Sequence, residues 1–148
     1  MTVPADPARE PLLLLDTHVL VWSVRESPRL ESVTKKVLNE AARQSLIVIS
    51  AITPWEIGLL VNKGRLELEA DVMEWIREAL AKPGVRLAPL DPEIAVASTR
   101  LPFEMHADPA DRILVATARR LGATLVTADG ALLDLSKKGY FRALDATA

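Results

Sequence analysis

Residues 12–15 read Leu-Leu-Leu-Leu and stop at Asp16. Consecutive side chains of a strand point to opposite faces, so a strand apolar at every position must be covered on both sides. That requirement selects a mainly parallel sheet with helices on each face, and the rest of the chain repeats the pattern. A helical stretch, THVLVWSV, follows Asp16 directly. SPRLESVTKKVLNEAAR then carries Leu30, Val33, Val37, Leu38 and Ala41 at amphipathic-helix spacing and leads into a second strand over 46–49. A helix opens at Thr53-Pro54-Trp55-Glu56, runs through Val61 and ends at Lys63-Gly64. Val72, Trp75, Ile76, Ala79 and Leu80 mark another, before a third strand over 85–90 and a helix over 92–101. The best-delimited helix has Asp108 as N-cap, Pro109 at its first position and Gly122 at its close. Strands are expected over 124–127 and 140–144.

The chain has 148 residues, 49% of them hydrophobic, which is material for one domain with a substantial core. A short flexible arm over 1–10 (MTVPADPARE) and a single domain over 11–148 are expected. No apolar run reaches the length of a membrane span and the first ten residues lack a signal-peptide core, so the cytoplasm is the expected compartment. The absence of cysteine excludes disulfides, thiolate zinc sites and a cysteine nucleophile. His18 and His106, the two histidines, show no metalloprotease spacing, and a packing role is expected for His18. Phosphate-loop, dinucleotide and nucleophile-elbow motifs are missing, which removes nucleotide switches and serine hydrolases. With a net charge of −2, nucleic-acid contact has to come from a local patch. Arg112, Arg119, Arg120, Lys137 and Lys138 are candidates for phosphate contacts, Arg112 foremost; the alternative is ordinary solvated helix faces.

Ligands of open α/β sheets bind at the carboxyl ends of the strands, and acids recur there. Asp16 follows the first strand, Glu56 starts the helix after the second, Asp111 starts the helix before the fourth, and Asp129 follows the fourth. Each also fits a local role. Asp16, Asp108 and Asp129 suit helix caps or turns, Glu56 completes a capping box with Thr53, and Asp111 sits where an acid favours the helix dipole. Together they imply more, because two carboxylates about 4 Å apart repel by about 4 kcal/mol at an effective dielectric of 20. Oxygen-only donors suit Mg²⁺ or Mn²⁺, whose chemistry beside phosphate is phosphodiester hydrolysis. The helix holding Glu56 is nearly all apolar from Trp55 to Val61, so it is expected to be buried on most sides.

The stretches LLLLDTHVLVW, VISAITPWEIGLL, LPFEMHADPADRILVATARRLG and LVTADGALL, in this order, resemble the PIN-domain family, and within it the VapC-type toxins of toxin–antitoxin pairs. The resemblance implies a PIN-like three-layer α/β/α sandwich and a Mg²⁺- or Mn²⁺-dependent endoribonuclease. It assigns Asp16, Glu56, Asp111 and Asp129 as catalytic and metal-binding residues, with Asp108 as an accessory and Thr17 orienting Asp16 by a hydrogen bond; Arg112, the first candidate among the basic residues for a phosphate contact, is a further accessory. It further implies an RNA substrate, a cognate antitoxin and a homodimer. Ala110 stands where relatives carry an aromatic, and Gly58-Leu59-Leu60 where a small residue and lysine are usual. The alternative function is a non-catalytic cation-binding interaction or regulatory domain; a DNA-directed nuclease would use the same acids.

Overall fold

The computed structural model describes residues 11–148, so the arm expected over 1–10 lies outside the described residues. Five strands form one sheet: β1 (Leu13–Leu15), β2 (Ile47–Ser50), β3 (Val85–Ala88), β4 (Thr124–Thr127) and β5 (Arg142–Asp145). Their order is β3-β2-β1-β4-β5, and every neighbouring pair is parallel. Parallel neighbours need crossover connections, and helices supply them. These are α1 (Thr17–Arg25), α2 (Ser32–Arg43), α3 (Ile52–Asn62), α4 (Val72–Leu80), α5 (Pro92–Thr99), α6 (Pro109–Leu121) and α7 (Gly130–Ser136).

The leucine run divides between two cores, as strand alternation requires. Leu13 and Leu15 join Val19, Leu20, Ile47, Ile49, Trp75 and Ile76 on one face. Leu14 joins Val48, Leu114, Val115, Leu125 and Leu132 on the other. Sheet and two helical layers make the expected α/β/α architecture. At α6 the Asp108 side chain accepts from the Asp111 amide at 3.1 Å, and Gly122, left-handed at φ 61°, returns its amide to the helix. Ala110 packs inward in the first turn, almost fully buried.

Several local expectations are corrected. There is no Thr53–Glu56 capping box: α3 starts at Ile52 with Ala51 as N-cap and no side-chain cap bond, which leaves Thr53 inside the helix. Nor is α3 buried on most sides, because only Thr53 and Ile57 are enclosed and Trp55 is 53% exposed. Val33 and Val37 face solvent on α2, whose inner face is Thr34, Leu38 and Ala41. The segment after Asp129 forms α7, for which no element was expected. β3 stops at Ala88 and α5 at Thr99, both short of their expected ends. Gly84, at φ +82°, lets β3 start against the end of α2: a Cβ there would lie 1.8 Å from the Ala42 carbonyl oxygen.

Candidate active site

Because β1 connects outward to β2 while β4 lies on its other side, the chain reverses direction across the sheet between β1 and β4. Helices leaving adjacent strands at such a point diverge and open a crevice. Asp16, Glu56, Asp108, Asp111 and Asp129 line one cavity of about 440 Å³ there, with His18, Trp22, Arg29 and Ala128 completing its wall. The sequence spreads these acids over four elements, and the strand order gathers them.

Asp16 ends β1 and caps α1, accepting the Thr17 amide at 2.7 Å on Oδ1. The Thr127 hydroxyl, at the end of β4, donates to Oδ2 at 2.7 Å and accepts the Asp129 amide at 3.0 Å. One hydroxyl therefore links the two central strand ends. Thr17 orients Asp16 with its backbone amide alone, since its buried hydroxyl donates to Glu56 and lies 3.3 Å from the Thr53 hydroxyl. Asp111 pairs through Oδ2 with His106 Nε2 at 2.8 Å, and Asp129 caps α7 by accepting the Ala131 and Leu132 amides. Both local and cavity roles hold for Asp16, Asp108 and Asp129: the first and last cap helices that leave the carboxyl ends of β1 and β4, and Asp108 caps α6, whose first turn also brings Asp111 to the cavity.

Burial is the main force on the acids. It lifts Asp16 above its ordinary range, against the hydrogen bonds from Thr127 and Thr17 and the nearby His18, while Asp129 adds repulsion. Glu56 is raised by burial and by Asp16, Asp111 and Asp108, opposed by the Thr17 hydroxyl. Asp111 is raised by burial and by Asp108, Asp16 and Asp129, opposed by His106. Excess negative charge held out of water calls for a cation. The donor set, all oxygen from side chains, fits a hard divalent ion. Among the described residues no three such ligands are drawn together into a ready-made cage.

Arg112 is not in the cavity wall. Its Nε donates to the Ser98 carbonyl at 2.8 Å and Nη1 to the Met105 carbonyl at 3.1 Å, tying α5 and the following loop to α6. Arg119 bonds the Tyr140 carbonyl and lies over the Phe103 and Tyr140 rings, and Lys137 pairs with Asp134. Sequence reasoning missed His106 as partner of Asp111, and missed Trp22 and Arg29. His18 is corrected as well: it is exposed and faces the cavity rather than packing in the core. Its place two residues after Asp16, in the first turn of α1, was the available signal.

Residues 13–138 match the PIN domain family. The chain belongs to that family. This PIN domain is 33% identical over 117 residues to Ribonuclease VapC22 from Mycobacterium tuberculosis, an alignment covering 79% of this chain and 86% of the relative, and it is of the VapC type. It is similar in fold to VapBC2 from Rickettsia felis bound to a DNA fragment from their promoter, with a TM-score of 0.68 at 16% identity over 90% of this chain and 98% of that one. FitAcB from Neisseria gonorrhoeae is similar with a TM-score of 0.63 at 21% identity, over 91% and 98%.

A pH dependence follows for the metal-free PIN domain. A carboxyl whose folded pKa is raised binds its proton more tightly when folded, so its stabilising contribution is complete below the unfolded value and is lost as pH rises through the folded one. For Glu56 that window begins at 4.5 and extends upward. In EDTA, Glu56→Gln should melt increasingly above the parent as pH rises from acid to neutral, measured by thermal denaturation across a pH series. A constant difference would mean that Glu56 carries no such penalty.

Proposed function

We propose that this protein is a metal-dependent endoribonuclease that hydrolyses RNA phosphodiester bonds and serves as the toxin of a toxin–antitoxin pair. The observation that carries this reading is the meeting of Asp16, Glu56, Asp111 and Asp129 in one cavity at the carboxyl edge of the sheet. Relatives lend support: one bears the name ribonuclease, and similar folds occur in VapBC proteins. The proposed partners are an RNA substrate, a cognate antitoxin and a second copy of the chain. No helix among the described residues is long and apolar enough to cross a membrane. We propose the cytoplasm as the compartment and 11–148 as one domain.

Asp16, Glu56, Asp111 and Asp129 would hold Mg²⁺ or Mn²⁺. When bound, such an ion supplies Lewis acidity toward water and phosphate oxygens. The protein's own work is positioning. Thr127 and the Thr17 amide fix both oxygens of Asp16, the Thr17 hydroxyl aims Glu56, and His106 holds Asp111. Asp108 adds a fifth negative charge at the rim. Arg112 acts at one remove, keeping the loop before α6 in place so that His106 reaches Asp111.

The test is incubation of a mixed RNA pool with Mg²⁺, with Mn²⁺ and with EDTA, beside Asp111→Asn. Cleavage should need the metal and fail in the variant. At a hundredfold excess over Kd the ion should also stabilise the fold by about 2.7 kcal/mol, about 5–10 °C in melting temperature for a chain of this size. Metal-dependent stabilisation with intact RNA would favour the non-catalytic cation-binding module, and equal cleavage of single-stranded DNA would remove RNA selectivity.

A further inference from the structure

Trp22 and Arg29 wall the carboxylate cavity yet take no part in holding its acids. The Arg29 guanidinium carbon lies 5.8 Å from the centroid of the Trp22 ring, and the His18 ring stands tilted 6.3 Å from it on the same helix. Arg29 is exposed, shares its cavity with five carboxylates, and forms no ion pair with any of them among the described residues. A cation placed to neutralise the acids would pair with them; this one is stacked on a ring instead. Trp22 is divided in the same way. Part of it packs against the core of Leu20 and Ile49, and the rest is left open at the cavity wall. Trp75, by contrast, is fully committed to the core.

An aromatic plane and a planar cation beside an acidic centre match the chemistry of an unpaired nucleotide. Its base has a π-face for the ring, and its phosphate takes the guanidinium. We propose that Trp22 and Arg29 form a nucleotide subsite next to the carboxylates, where an unpaired base stacks on the indole and Arg29 contacts the adjoining phosphate. This inference rests on the nuclease reading and adds to it a demand for single-stranded substrate, since a base in a duplex has both faces occupied by its neighbours. His18 lines the same cavity, near both the Trp22 ring and Asp16.

The experiment follows tryptophan fluorescence while Asp16→Asn protein, also carrying Trp55→Phe, is titrated with a single-stranded oligoribonucleotide in Mg²⁺. With Trp75 buried, Trp22 is the indole a base can reach. RNA should quench the emission, and an abasic strand of the same length should not. Adding Trp22→Leu should abolish the quenching and weaken binding about tenfold, read by polarisation of labelled RNA, while Trp22→Phe keeps most of the affinity. Arg29→Gln should reduce the slope of log affinity against log salt by about 0.7. Equal quenching by the abasic strand, or unchanged binding by folded Trp22→Leu, would overturn the subsite. If Trp22→Leu fails to fold, Trp22→Phe and the abasic strand still decide. RNA that is cut normally by the parent protein but bound without quenching sinks the subsite alone; quenching by a protein that never cuts sinks the nuclease alone.

Discussion

Asp16→Asn is expected to lose RNA cleavage by more than about a hundredfold, the upper range reached when merely an outer partner of a metal ligand is removed, while its metal-free form melts no lower than the parent. The two halves of this expectation have one cause. Asp16 is 8% exposed, sits among other acids, and is held above its ordinary pKa by burial. Its charge is a burden on the fold, and under the proposed function it would serve binding of a cation. The amide keeps the shape of the side chain and can still accept from the Thr17 amide, so packing survives. It gives up the hydrogen bond from Thr127, worth about 1 kcal/mol, and it removes a buried charge in exchange. Activity and melting curves in EDTA and in Mg²⁺ check this together. A variant that still cuts RNA would refute the role of Asp16; one that loses activity and melts well below the parent would show that the residue is needed for folding.

Gly84→Ala should be the most damaging single methyl group in the described chain. Glycine is required there twice over. Its φ of +82° lies where a side chain is strained, and its Cα faces backbone: the added Cβ would meet Ala42 O at 1.8 Å, C at 2.6 Å and Cα at 2.8 Å. A flexible neighbour could swing aside, but a helix end can move only as a body. Overpacking costs about 1–3 kcal/mol and the left-handed conformation about 1–2 more. The sum predicts a fall of roughly 5–20 °C in melting temperature. Gly64→Ala is the control, having a similar φ of +70° but nothing within 4 Å of the added carbon. A loss at Gly84 no larger than at Gly64 would show that the close approach to α2 is not rigid.

Much of this architecture was legible because it rests on local signals. A buried parallel strand announces itself as an apolar run, and Asp108-Pro109 with Gly122 bounded α6 because caps are satisfied within a few residues. The errors arose where a partner is distant. Thr53 read as a cap because Glu56 lies three residues on, whereas its hydroxyl meets Thr17, 36 residues earlier. Apolar patterning in α3 suggested enclosure, but patterning cannot say whether a covering layer belongs to the same chain. His106 carries no helical or strand signal, and its pairing with Asp111 depends on the loop that Arg112 ties down. The convergence of the acids was readable from strand ends; their orienting hydroxyls and the Trp22–Arg29 wall were not, because they depend on rotamers and strand order.

The hydrogen bond between Asp16 and Thr127 spans 111 residues of chain. At 5–20 residues per second, a ribosome needs roughly 6–22 s to travel from one to the other. Throughout that interval the central strand β1 can gain β2 and β3, but Asp129 and the hydroxyl that steadies Asp16 do not yet exist. The growing polypeptide therefore carries an unfinished centre throughout that interval, and under the proposed function it can cut RNA only once Asp129 has emerged. On that reading a restraining partner would be needed from that moment, and would have nothing to intercept earlier.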